Sequence, residues 1–141
     1  ELNNSFIIDT EEKITENALK KSSAKLLAKY SVMIAMYGAT VGEIGIISNE
    51  ATCNQAICAF LPNNDYPFTF IYQFLLLNKQ DIIGQAVGSA QQNISQQLLL
   101  NYTLAIPPSE TVKAFHKIVE PLFFQIEQCI KENQILNVFK L

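Results

Sequence analysis

"MYGATVGEIGIIS", residues 36–48, is the stretch on which the reading of the fold turns. Two apolar runs meet at Gly-Ala-Thr-Val-Gly, with Gly38 and Gly42 four residues apart and Gly45 just beyond. A Walker loop requires G-x-x-x-x-G-K-[ST], but Glu43 follows the second glycine and would repel phosphate. A dinucleotide fingerprint opens a helix, whereas the residues after Gly42 are strand-like. A membrane-packing motif sits within roughly twenty apolar residues, and Glu43 interrupts this run. What remains is a turn between two strands, in which glycine supplies a positive φ or a close backbone approach. The stretch is a turn and not a catalytic loop.

On either side of the turn, residues 32–37 (VMIAMY) predict a buried strand, and Ile44, Ile46 and Ile47 predict its partner. "ATCNQAICAFLP", residues 51–62, is short, apolar and β-friendly, and a proline ends it. Upstream, Thr15 is placed to cap a short helix over residues 16–21. Downstream, Pro67 opens a helix from Phe68 to about Gln85. Its broad apolar face carries Phe70, Ile71, Phe74, Leu75, Ile82 and Ile83, with Asn78, Lys79 and Asp81 opposite. A polar stretch, "GSAQQNISQQ" at residues 88–97, leads to a strand over residues 102–106, which Pro107 and Pro108 stop.

Ser109 caps the last element, a long helix with Glu110 in its first turn. Val112, Phe115, Val119, Leu122, Ile126, Cys129, Asn133, Leu136 and Lys140 follow at alternating steps of three and four. That spacing is a heptad seam, with Asn133 and Lys140 as polar positions, and it suits a partner helix as well as the domain core. Pro121 predicts a kink or two consecutive helices. The expected fold is therefore α+β: a mixed, mostly antiparallel curved sheet with flanking helices, then a coiled-coil-type helix.

The chain has 141 residues, of which 49% are apolar and 16% charged, so it can build a core and is no disordered tail. It opens on Glu1 and ends inside a helical pattern, and reads as part of a longer protein without a secretion signal. Cys53, Cys58 and Cys129 show no C-x-x-C spacing and read as inert thiols of a reducing cytoplasm. The net charge of −3 is unevenly spread: residues 1–12 carry −4, residues 13–42 carry +4, and the rest carry −3. There is no arginine, so the basic character is one lysine patch, which a solvated helix face would also explain.

The order of these pieces resembles the DNA specificity (S) subunits of type I restriction–modification systems. The matching stretches are "KITENALKKSSAKLLAKYSVMIAMYGATVGEIGI", "NQAICAFLP", "AVGSAQQNIS", a strand ending "AIPP" and a terminal helix with "ENQIL". The resemblance implies that residues 1–108 are the later part of one target recognition domain and that residues 109–141 begin a spacer or dimerisation helix. It implies a non-catalytic subunit that binds double-stranded DNA at a split site. It further implies methyltransferase and restriction subunits as partners. S-adenosylmethionine, ATP and Mg²⁺ would be held by those partners and no cofactor by this chain.

Within that frame Lys20, Lys21 and Lys25 are the candidate phosphate contacts. Thr40 and Ser89 have hydroxyls for phosphate, and Gln91, Gln92 and Asn93 have amides that suit adenine. The resemblance also implies that the glycine turn and the Gln92-Asn93-Ile94-Ser95 stretch recur in subunits that read different sequences. A shared feature cannot discriminate, so both are assigned to scaffold or backbone contact. Discrimination is expected from loops such as Asn49-Glu50 or Asn63-Asn64-Asp65, or from parts of the domain beyond this chain. Two other classes stand beside this reading. One is a thiol hydrolase pairing His116 with Cys53 or Cys58; the other is a helix-mediated assembly module without DNA contact.

Overall fold

The computed structural model describes residues 2–86, 93–103 and 105–138, except the side chain of Val138. Four strands, β1 (Ser5–Ile7), β2 (Val32–Ala35), β3 (Ile44–Ile47) and β4 (Ile57–Phe60), form one sheet in the order β1-β3-β2-β4. β1 runs parallel to β3, while β2 is antiparallel to both β3 and β4. The helices are α1 (Glu16–Lys21), α2 (Phe68–Gly84), α3 (Gln96–Asn101) and α4 (Ser109–Val138). The class is α+β with a mixed sheet and a long C-terminal helix, as the residues predict.

The glycine turn joins β2 to β3. Gly38 has φ +86 and Gly42 has φ +80, a region where a side chain is strained. Gly42 serves the second role too: a Cβ there would clash with the Ile83 side chain of α2. The turn closes through Gly42 N–H donating to Ala35 O at 2.8 Å and Ala35 N–H to Glu43 O at 2.9 Å. Glu43 itself is held by Lys79 at 2.8 Å and by the Asn4 amide, so it braces the turn against α2 and the start of β1.

The sheet is covered unequally. On one face α2 and α4 pack over Val32, Ile34, Ile44 and Ile46 together with Phe6, Phe68, Tyr72, Leu75, Ile82 and Phe123. The other face carries the smaller cluster Ile7, Met33 and Ile47, covered in part by Leu27, Ala51 and Cys53. Both faces of β2 and β3 are thus buried, which explains why these strands read as continuous apolar runs without alternation.

Three elements differ from the sequence expectation. β1 emerges from Ser5, Phe6 and Ile7, a run too short to announce a strand alone. Residues 96–101 form α3, an element the sequence does not announce: it joins the end of the polar stretch at residues 88–97 to Leu98, Leu99 and Leu100, and Ser95 caps it by accepting from Leu98 N–H at 3.0 Å. The strand expected at residues 102–106 is absent among the described positions, Leu104 lying outside them. The reason is a competing tie: Tyr102 Oη donates to Asp81 at 2.5 Å, which holds the segment on α2 instead of on a sheet edge. That hydrogen bond pushes the Tyr102 pKa up to about 12.

α4 passes Pro121 as one continuous helix, so the alternative of two consecutive helices does not hold. Its domain-facing residues are Val112, His116, Val119, Phe123, Glu127 and Ile130, at the true helical period. The heptad seam predicted from sequence drifts off this stripe, because a 3.5-residue repeat precesses around a 3.6-residue helix. Val112 is buried, and Phe115 and Val119 half-buried, against the domain. Leu122, Ile126, Cys129, Asn133 and Leu136 face outward, and Leu122 is 56% exposed.

Candidate nucleic-acid interface

Lys20 and Lys21 close the last turn of α1, where their charge complements the helix C-terminus. The Thr15 side chain accepts from Ala18 N–H at 3.1 Å, which caps α1, and the helix buries no residue. Both lysines and Lys25 project into solvent. Lys20 reaches Glu16 only at 4.0 Å, and among the described residues no ion pair holds Lys21 or Lys25. Three cations are therefore available on a segment that the Leu27–Ala51 bridge ties to the domain.

Thr40 is exposed in the glycine turn, and its carbonyl accepts from Glu43 N–H at 2.9 Å. Asn93 is exposed beside it, because Ile94 N–H donates to Met36 O at 2.7 Å at the end of β2. Ile94 is 2% exposed and belongs to the main core. Ile94 thus acts as a peg in the scaffold. Ser89, Gln91 and Gln92 lie outside the described residues.

These candidates do not form one cluster. Leu27, two residues from Lys25, packs on the sheet face opposite α2, whereas Ile94 packs on the face that α2 covers. No hydrogen bond or ion pair among the described residues joins the lysine segment to Thr40 or Asn93.

A second polar locus escaped the sequence reading. Where Lys29 meets α4, a cleft of about 250 Å³ is lined by Lys29, Asn63, Asn64, His116, Glu120 and Phe68, among others. Lys29 and Tyr30 are the central residues of a turn closed by Ser31 N–H donating to Ala28 O at 3.1 Å. Tyr30 sits at φ +66, a conformation that costs about 1 kcal/mol or more in a residue with a Cβ. Several contacts hold it there: its ring stacks on Phe68 at 4.8 Å, and its hydroxyl donates to Glu127 Oε2 at 3.1 Å. The Lys29 ammonium lies 4.5 Å above the Tyr30 ring. The Tyr30 hydroxyl, and more weakly the Glu127 charge, keep that ammonium above its ordinary pKa. A larger groove of about 540 Å³, lined by Phe60, Phe70, Phe74 and Tyr102 among others, has no cationic lining residue.

Glu127 is the buried acid of α4, 4% exposed, and accepts from Lys131 at 2.6 Å as well as from Tyr30. Ser48 Oγ is buried without a partner within bonding distance among the described residues, yet faces the same carboxylate. Nearer the start of α4, His116 Nδ1 is 2.9 Å from Thr69 Oγ1 and its Nε2 is 3.2 Å from Glu120. His116 is thus half-buried at the α2–α4 crossing and is not the exposed helix residue its flanking lysines suggest. A thiol dyad finds no support. The hydrogen-bond partners of His116 are Thr69 and Glu120, and burial pushes the Cys53 and Cys58 thiols up, away from the reactive thiolate.

Among the described residues, no group of three or more His, Cys, Asp or Glu is placed to hold a metal ion. No described helix is long and apolar enough to cross a membrane.

An α+β domain with an exposed lysine segment and a long C-terminal helix is the class these features define. Residues 1–137 match the type I restriction modification DNA specificity domain family, and the chain belongs to that family. It is 24% identical over 127 residues to the specificity subunit of the type I restriction enzyme EcoR124I/EcoR124II of Escherichia coli. That alignment takes in 86% of this chain and 31% of the relative, so the chain spans about a third of the length of this curated protein.

Proposed function

We propose that this chain is the DNA-recognition part of a type I restriction–modification specificity subunit, itself non-catalytic, acting in the cytoplasm. The family match over residues 1–137 carries this reading, and the exposed Lys20, Lys21 and Lys25 give it a means of contact. Residues 1–108 serve as part of a target recognition domain and residues 109–141 as the start of a spacer helix. The subunit positions methyltransferase and restriction subunits on a split site. S-adenosylmethionine, ATP and Mg²⁺ belong to those partners, and this chain contributes alignment and sequence choice.

The test is retention of duplex DNA by the protein as salt rises. Three phosphate contacts give a slope of about −3 for log K against log salt, near −0.9 per contact. Absence of retention at 50 mM salt, under conditions where the protein is folded, would falsify direct DNA contact. It would leave helix-mediated assembly as the role.

That second reading has its own observation. Ile118, Leu122, Ile126, Ile135 and Leu136 are large apolar residues of α4 that keep 49% or more of their surface exposed. Exposed apolar surface of this kind suits a partner helix. A second copy pairing there predicts a concentration-dependent dimer in sedimentation, weakened about tenfold or more by Leu122→Asp. A strict monomer at high concentration would exclude pairing between copies.

A further inference from the structure

We infer that Asn64 reads a base edge, with adenine the matching base, and that Lys29 holds the adjoining phosphate from across the same cleft. This deepens the DNA-recognition reading and rests on it. Most polar side chains in the loops free to discriminate are already engaged within the domain. Asn49 is occupied, its Nδ2 donating to Ile8 O at 3.2 Å. Asn63 is occupied too: its Oδ1 accepts from Asp65 N–H at 2.9 Å and from Tyr66 N–H at 3.0 Å, forming an Asx turn. Asp65 is pinned to α4 by Ser109 at 3.1 Å and Lys113 at 3.3 Å. Glu50 is exposed, but its carboxylate would repel the backbone and it does not line the cleft.

Asn64 is what remains. It is exposed, makes no side-chain hydrogen bond among the described residues, and sits at the tip of a loop held on both flanks. Pro62 and Pro67 further restrict that loop. The turn fixes the backbone from which this amide projects, so binding has only the side-chain torsions left to order. An asparagine amide presents one donor and one acceptor, the pattern that pairs with adenine N7 and N6. Because Glu120 also lines the cleft, the backbone meets it only at Lys29. A carboxylate there disfavours the backbone inside the cleft and favours an exocyclic amine. Lys29 supplies the cation, held over the Tyr30 ring.

The experiment is selection of duplexes from a randomised pool by the full-length protein, comparing wild type with Asn64→Ala and Lys29→Gln. The expected wild-type result is a motif containing an adenine. In Asn64→Ala the preference at that one base pair falls about 5- to 100-fold, while affinity for unrelated duplex stays within about twofold. In Lys29→Gln all duplexes weaken alike and the salt slope becomes shallower by about 1. If wild type selects a motif and Asn64→Ala selects the same motif with equal preference, Asn64 is not a reader and this inference fails alone. If wild type selects nothing, the DNA-recognition reading fails and takes this inference with it. Asn64→Asp keeps the shape and loses the donor, so a loss of adenine preference there as well separates hydrogen bonding from loop packing.

Discussion

Reversing Lys20, Lys21 and Lys25 to glutamate together is expected to lower duplex affinity at 0.1 M salt by on the order of 10²-fold or more. Three lost phosphate contacts remove about 2.7 from the salt exponent, and the introduced acids add repulsion. The protein should remain folded, because α1 buries no residue and the Lys20–Glu16 pair is exposed at 4.0 Å. Surface changes of that kind shift stability by about 0.5 kcal/mol or less each. Loss of binding can therefore be read as loss of contact. Electrophoretic retention across a salt series, with unfolding followed in parallel, makes the check. Wild-type affinity and an unchanged slope in the triple variant would place the DNA elsewhere on the domain, with the Lys29 cleft the next candidate.

Lys131→Met is expected to destabilise the protein by about 2 kcal/mol at pH 7, with most of the loss recovered on acidification. In the intact protein burial pushes the Glu127 carboxyl up. The Lys131 ammonium and the Ser48 and Tyr30 hydroxyls outweigh it, so the group sits below its ordinary value. A folded value below the unfolded one means that Glu127 contributes stability above about pH 4.5, lost as pH falls through the folded value. Without Lys131 the burial is left largely uncompensated and the sign inverts. The folded value then lies above the unfolded one, so the charged acid is a penalty at neutral pH, relieved as pH drops through the raised value. The penalty stays below that of a sealed pair because the Lys131 side chain is 37% exposed and water can take its place. Urea unfolding at pH 7 and at about pH 3, below the ordinary carboxyl value, decides the matter. An equal loss at both would mean that Lys131 acts through packing and not through charge.

The consequence for function is geometric. Tyr30 and Glu127 join the Lys29 turn to α4, and Thr69 and His116 join α2 to the same helix. The helix is thus tied to the domain at two points more than two turns apart, so its direction follows from the domain that would meet DNA. The helix is thereby held along one side, from Val112 to Ile130, and leaves an apolar outer side exposed.

Much of this architecture is legible in the chain itself. The glycine turn, β2, β3 and α2 follow from local rules, because apolar runs, a Pro67 start and glycines at positive φ report the backbone directly. The cap at Thr15 and the exposed lysines that follow are local in the same sense. The site was harder to read. Lys29 looks like one more surface lysine, and nothing in its neighbours along the chain says that Asn64 and His116 share its cleft.

Sequence by itself determined the class of the protein, the turn and the placement of positive charge, since each depends on residues close together along the chain. Only the tertiary structure decided which face of α4 the domain covers, where residues 102–106 go, and which loop amide is left unoccupied. Those outcomes depend on contacts between distant residues: Tyr102 with Asp81, Tyr30 with Glu127, Asp65 with Ser109 and Lys113. A buried polar group must find a partner wherever the fold brings one, and local periodicity carries no record of where that is.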